Sequence, residues 1–250
     1  MRNNKSKEKM RRIMIVGATS GIGEGLARRY SAEGQVKVGV TGRRADRLKE
    51  LCQLRPEAFE AEVCDVTKLE GLETSLEQLA TRMGGLDLLV LSAGTGELNP
   101  SLDYGIERPT LETNVLGWTC VADWAVRYFE RQEHGHLAAI TSAGGLRGSG
   151  AAPAYSAAKA FQMNYLEGLR QRLHGKKLPV HVTDLRPGFV DTAMAKGEGL
   201  FWVAPVDKAC RQIMRGIARR KDVVYVTRRW RFVAWLYRLI PGWLFKRMQG

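Results

Sequence analysis

Ile13-Met14-Ile15-Val16-Gly17-Ala18-Thr19-Ser20-Gly21-Ile22-Gly23 is a short apolar run that ends in a GxxxGxG turn. Four apolar residues bounded by glycine read as a buried strand, and the residues from about Ile22 to Glu33 read as a helix. A glycine turn between a first strand and a first helix lets the backbone come close to a pyrophosphate. It also aims the helix N-terminus at the phosphate charge. Gly17, Thr19, Ser20, Gly21, Ile22 and Gly23 are therefore candidate cofactor contacts.

The same alternation continues outward from this stretch. Further strands are expected at Val36–Thr41, Ala61–Val63, Leu86–Leu91, His136–Thr141, Val180–Leu185 and Val223–Thr227. Helices are expected at Ala45–Leu54, Leu69–Met83, Leu111–Arg131, Ala154–His174 and Val206–Arg219. Strands alternating with helices predict an α/β fold: a single Rossmann-type domain with a doubly wound parallel sheet of about seven strands and helices on both faces. No internal repeat or linker interrupts it. The domain is expected to span residues 13–227, between a basic tail at 1–12 and a basic aromatic extension at 228–250.

The net charge is +13, and its distribution matters more than its size. Residues 1–12 carry +5, residues 228–250 carry +6, and the body is left with +2. Charge confined to two ends does not describe a nucleic-acid groove. Cys52, Cys64, Cys120 and Cys210 show no CxxC spacing, which argues against a zinc site or disulfide framework and suits a reducing cytoplasm. His134-Gly135-His136 has no third ligand in sight and reads as a turn before a strand, so no metal is expected. No run approaches the roughly 18 apolar residues of a membrane span.

The second strand ends in Thr41-Gly42-Arg43-Arg44. An acid at this place binds adenosine ribose hydroxyls, whereas an arginine accommodates a 2′-phosphate. Arg43 and Arg44 thus point to NADPH over NADH, with Arg43 as the main clamp; the competing reading is a solvated start to the next helix. Asp65, with Val66 beside it, follows the third strand and is placed to meet the adenine amino group. Ser92-Ala93-Gly94 follows the fourth, and Ala93 and Gly94 would lie under the adenosine.

Tyr155-Ser156-Ala157-Ala158-Lys159 puts a phenol and an ammonium at i and i+4 on an alanine-rich stretch that starts near Pro153. On a helix they share a face, about 5–6 Å apart. A nearby cation favours the ionised phenol. Alone the spacing is common on helix surfaces. Its order behind the glycine turn, Asn114 and Ser142 is not.

That order resembles the short-chain dehydrogenase/reductase family over about residues 12–227. The resemblance includes the turn at 17–23, Asp65, Asn114-Val115-Leu116-Gly117, Ser142, Tyr155, Lys159, and Pro187-Gly188 with Thr192 beyond. It implies hydride transfer between a nicotinamide and a carbonyl or alcohol carbon. Tyr155 would be the general acid in reduction, and Lys159 would lower its pKa and bind the nicotinamide ribose. Ser142 would hydrogen-bond the substrate oxygen, and Asn114 would help hold a water leading to Lys159. Pro187, Gly188, Val190 and Thr192 would flank the nicotinamide. Departures exist: Leu91-Ser92-Ala93-Gly94 stands where the family usually has Asn-Asn-Ala-Gly, and Ser20 supplies no basic residue inside the turn. By analogy the alanine-rich helix implies a homodimer or homotetramer.

Two segments bear on the substrate. Met194, Leu200, Phe201 and Trp202 fall where the family has its substrate lid, with Gly197 and Gly199 as possible hinges, and an apolar lid suggests a lipophilic carbonyl substrate. The extension RRWRFVAWLYRLIPGWLFKRMQG carries aromatics, aliphatics and six basic residues but no acid. That composition describes an interfacial membrane segment; a hydrophobic arm over the cleft and a subunit contact are the alternatives. The tail looks more like that of reductases working on membrane lipids, such as 3-ketosphinganine reductases. The expected location is cytoplasmic, with peripheral contact at the inner membrane surface. The competing functions are a soluble reductase of small carbonyls or 3-oxoacyl thioesters, and a non-catalytic nucleotide-sensing or scaffold protein.

Overall fold

The computed structural model describes residues 10–195 and 201–247. Residues 1–9 of the basic tail, Gly197, Gly199 and Leu200 of the expected lid, and 248–250 of the extension lie outside the described residues. In chain order the elements are β1 (Arg11–Val16), α1 (Gly21–Ser31), β2 (Val36–Gly42), α2 (Ala45–Leu54), β3 (Phe59–Val63), α3 (Leu72–Arg82) and β4 (Leu88–Leu91). They continue with α4 (Tyr104–Leu111), α5 (Trp118–Gln132), β5 (Gly135–Ile140), α6 (Pro153–Gly175), β6 (Val180–Pro187), α7 (Val206–Ala218), β7 (Val223–Val226), α8 (Trp230–Leu239) and α9 (Gly242–Phe245).

The strands form one seven-stranded sheet in the order β3-β2-β1-β4-β5-β6-β7. Every neighbouring pair is parallel. The strand order reverses between β1 and β4. In such sheets the crevice outside the carboxyl ends at the reversal is where ligands bind. Alternate residues of each strand face opposite sides. Met14, Val16, Leu89 and Leu91 pack with α3, α5 and α6, while Ile13, Ile15, Leu88 and Val90 pack with α1, α2 and α7. Both faces are thus covered, as a parallel sheet requires.

The sequence placed one helix at Leu111–Arg131. The structure starts it earlier, at Tyr104, where Asp103 Oδ1 accepts from Gly105 N at 2.7 Å. Pro109 hid this start, because proline lacks an N–H and reads as a breaker. The chain passes through Pro109 and opens into a π-turn over Glu112–Gly117 before α5. Such single π-turns cluster at functional sites, and this one contains the fully buried Asn114.

The extension forms two helices broken at Pro241. Trp230 and Ala234 are buried against the body. Phe232, Trp235, Leu236 and Leu239, at i, i+3, i+4 and i+7, form a stripe on the solvent side and are exposed, as are Trp243 and Leu244. Arg147 holds the end of α8: its Nη1 donates to Tyr237 O at 3.2 Å and Ile240 O at 3.1 Å, and its guanidinium lies 4.2 Å from the Phe245 ring centre. These bonds satisfy carbonyls that a helix C-terminus otherwise leaves open.

His136 of the sequence's His-Gly-His turn is buried in β5, and its Nε2 lies 2.8 Å from Thr183 Oγ1. The Thr183 hydroxyl donates to Lys221 O, so it accepts from the ring N–H. Burial, helped by His181 and Arg220, pushes His136 down to about 4 from 6.5. Below pH 6.5 the unfolded chain takes up a proton that the folded chain refuses. Stability present above that pH is therefore lost as pH falls towards 4, by up to about 3 kcal/mol. Urea midpoints at pH 7 and pH 4.5 are expected to separate more for the natural chain than for His136→Gln.

Candidate active site

The turn after β1 is built by close backbone contacts. Gly17 has φ of +88°, and a Cβ there would meet Ala93 N at 2.5 Å. A Cβ on Gly23 would meet Gly17 O at 2.0 Å. Only glycine fits either place, and the backbone N–H groups at the start of α1 stay open to a pyrophosphate. Gly21 faces Thr192, whose Cγ2 would be 3.2 Å from a Cβ there, so the β6 loop closes over the turn. Ser92 N donates to Val16 O at 2.8 Å. The main chain thus ties β4 to the turn where the family more often has an asparagine.

The two arginines after β2 separate in space. Arg44 folds onto the turn, its Nη2 donating to Thr19 O at 2.9 Å and Thr19 Oγ1 at 3.0 Å. Arg43 is exposed and makes no such bond among the described residues. The free guanidinium and the missing acid fit a 2′-phosphate; Arg44 is engaged in holding the turn. Asp65 accepts from Thr67 N at 3.0 Å and Thr67 Oγ1 at 2.9 Å, which fixes the loop after β3. Val66 is buried, and its carbonyl comes so close to Gly117 that a Cβ there would lie 2.2 Å away.

At the same carboxyl edge the structure brings Asn114, Ser142, Tyr155 and Lys159 together. Ser142 lies two residues beyond the end of β5, and its Oγ accepts from Gly144 N at 3.0 Å. Tyr155 and Lys159 ride on α6, which starts at Pro153, a residue without the N–H that the first turn would leave open there. Burial pushes the Tyr155 phenol up, and its hydrogen bond with Ser142 pulls it back. The Lys159 ammonium lies 5.8 Å from the tyrosine ring centre. It is 3% exposed, and burial brings it down to about 8, partly offset by Asp184. Its Nζ donates to Ile140 O at 3.2 Å and Gln162 Oε1 at 3.0 Å. The Asn114 side chain clamps the main chain after β4: Oδ1 accepts from Thr95 N at 2.9 Å and Nδ2 donates to Thr95 O at 2.6 Å. Gly94 lies between the two, with Asn114 Oδ1 and Lys159 Nζ within 3.3 and 3.5 Å of where its Cβ would be.

Beyond β6 the loop is aromatic. Pro187 ends the strand, and Gly188 N donates to Val226 O at 2.6 Å. The Trp230 ring packs so tightly on Gly188 that a Cβ would fall 1.9 Å from it. Phe189, Phe201 and Trp230 form one cluster: Trp230 is edge-on to Phe189 and stacked on Phe201, each with centroids 5.2 Å apart. Buried Val190 bridges to Ala204, while Met194, Phe201 and Trp202 stay exposed. Arg229 lies over the Trp202 ring at 5.7 Å.

Three residues of the site were not singled out from sequence. Gln162 shares the helical face of Tyr155 and Lys159, and its i+3 spacing from Lys159 was the available signal. Gly96 packs on the Tyr155 ring. The place of Trp230 on Gly188 joins residues far apart in the chain and had no local signal.

A family model described as short chain dehydrogenase matches residues 11–200. An uncharacterised oxidoreductase of Myxococcus xanthus is 36% identical over 192 residues, 74% of each chain. An uncharacterised oxidoreductase of Staphylococcus aureus is 33% identical over 184 residues, covering 72% of this chain and 78% of the relative. Among solved structures, a short chain dehydrogenase from Burkholderia cenocepacia in complex with NADP superposes with a TM-score of 0.81 at 22% identity, over 97% of this chain and 98% of its own. That likeness is one of fold.

A methyl group at Gly96 would sit 2.3 Å from Tyr155 Cδ2 and must push the ring aside. Displacements of this order cost up to about a hundredfold in rate. Gly96→Ala is expected to lower turnover by about tenfold or more while leaving the thermal midpoint nearly unchanged, which steady-state kinetics and a melting curve together measure.

Proposed function

The chain belongs to the short-chain dehydrogenase family, and from its site we propose an NADPH-dependent reductase that turns a lipophilic, long-chain ketone into a secondary alcohol at a membrane surface. Family membership makes it an NAD(P)H-dependent oxidoreductase acting on CH–OH and C=O groups. The observation that carries the reaction is the meeting of Tyr155, Ser142 and Lys159 at the carboxyl edge, beside a turn that only glycine can make.

The cofactor supplies the hydride to the carbonyl carbon. Gly17, Thr19, Ser20, Gly21, Ile22 and Gly23 would hold its pyrophosphate, with Asp65, Val66, Ala93 and Gly94 around the adenosine. Pro187, Gly188, Val190 and Thr192 would flank the nicotinamide. Ser142 donates to the substrate oxygen as negative charge builds there, and Tyr155 delivers the proton from its phenol. A phenol pushed up by burial is protonated at neutral pH, the form an acid needs. Lys159 stabilises the phenolate left behind. Exposed Arg43, with no acid directly after β2, supports the preference for NADPH.

The substrate reading is supported by the apolar wall of Phe189, Phe201, Trp202 and Trp230 where the lid meets the extension. The membrane reading is supported by the exposed stripe Phe232, Trp235, Leu236 and Leu239, continued by Trp243 and Leu244. Arg228, Arg229, Arg231, Lys246 and Arg247 are exposed around it, with no acid between 228 and 250. Such a face suits the interface of an anionic bilayer. Among the described residues no helix is long and apolar enough to cross one. The N-terminal basic residues would add to this attraction. A homodimer or homotetramer is the expected assembly.

NADPH oxidation with long-chain 3-keto substrates tests the reaction. Tyr155→Phe is expected to lose turnover by about a hundredfold or more, and a variant as active as the natural chain would overturn the mechanism. Arg43→Ala should raise the KM for NADPH about tenfold and leave that for NADH alone. In flotation with phosphatidylserine vesicles the full chain is expected to float, and Trp235→Glu with Leu239→Glu to stay behind. A full chain that does not float refutes the membrane reading alone.

A further inference from the structure

Lys159 is held by an element of the structure that its expected role does not include. Gln162 is fully buried, three residues further along α6. Its Oε1 accepts from Lys159 Nζ at 3.0 Å, and its Nε2 donates to the main-chain carbonyl of Asn114 at 2.8 Å. Both ends of the amide are used, and the two bonds fix which end is oxygen. Asn114 is itself pinned to Thr95 by a pair of bonds. One continuous line of hydrogen bonds therefore runs from the loop after β4, through the π-turn, across Gln162, to the ammonium.

We infer that Gln162 is a positioning residue for the proton transfer: its amide ties the Lys159 ammonium to the Asn114 carbonyl and so sets where the charge stands relative to Tyr155. The inference rests on the reading of Tyr155 and Lys159 as the acid and its partner. The geometry favours it over simple filling of space. A buried apolar side chain would fill the same volume and leave the Asn114 carbonyl and one ammonium N–H without these partners. Ile140 O would then be the remaining protein acceptor shown for Lys159. The amide also stands between Lys159 and the Asn114 carbonyl, where the sequence reading expected Asn114 to help hold a water.

The groups around the ammonium are few. Tyr155 faces it from α6 and Asp184 from β6, and Asp184 is paired with Arg186 at 2.6 Å. Removing the acceptor at Gln162 disfavours the charged lysine, and a carboxylate in its place favours it. The two changes must therefore act in opposite directions on the limb where reduction falls off at high pH.

The test compares Gln162→Leu and Gln162→Glu with the natural chain, measuring kcat and KM across pH 6–10 and the thermal midpoint of each. The leucine variant is expected to lose about tenfold or more in kcat, with the high-pH limb moved down by about one unit. The glutamate variant is expected to move the limb up, whether or not its kcat recovers. If the leucine variant does not fold, the upward shift in the glutamate variant alone decides the matter. Limbs that stay in place, or that move in the same direction in both variants, overturn the inference. Tyr155→Phe run alongside separates the two readings: if it keeps full activity, the premise fails. If it is inactive while both Gln162 limbs stay fixed, only the role of Gln162 fails.

Discussion

A protonated amine out of contact with water must be surrounded by acceptors, because burying an unpaired charge costs several kcal/mol. Lys159 is in that position, 3% exposed, and much of the carboxyl edge is arranged around it. Ile140 at the end of β5 offers a carbonyl, Gln162 an amide oxygen, and Asp184 on β6 a more distant charge. Meeting these demands brings α6 against β5, the π-turn against α6, and the loop after β4 against Asn114. The cation thus ties together the elements that carry Asn114, Ser142 and Tyr155.

The two ends of the cleft are built by different means. At the turn after β1 the contacts are backbone on backbone, and Gly17 and Gly23 are there because a Cβ would collide with Ala93 N or Gly17 O. Beyond β6 the contacts are rings: Phe189, Phe201 and Trp230 pack edge to face and in a stack. Trp230 lies beyond β7, so that segment packs on the loop after β6 as well as bearing an exposed apolar stripe. The sequence left open an interfacial membrane segment, an arm over the cleft and a subunit contact; the helix presents two distinct sides. The inner side is Trp230 and Ala234; the outer side is Phe232, Trp235, Leu236 and Leu239.

The glycine turn, the strand–helix alternation and the order Asn114, Ser142, Tyr155, Lys159 were all readable from the chain alone. Each is a local pattern: a turn that needs glycine, a period of two or 3.6 residues, or a spacing along one helix. Those patterns lead to the parallel sheet and to residues that the structure gathers at one edge. The start of α4 was hidden, since Pro109 imitates a stop although the helix runs on through it to Leu111. The separation of Arg43 from Arg44 was hidden as well. Adjacent residues look equivalent in sequence, and only the nearness of Thr19 shows that one is already engaged.

By itself, then, the sequence determined the fold class and named residues that the structure gathers at the carboxyl edge, because backbone propensity and short-range spacing act along the chain. The tertiary structure alone decided which partners those groups have. Gln162 meets Asn114 across 48 residues, and Trp230 covers Gly188 from beyond the last strand. Such contacts depend on how helices settle on the sheet, which is set by the volume and polarity of every neighbour at once and leaves no local mark on the chain.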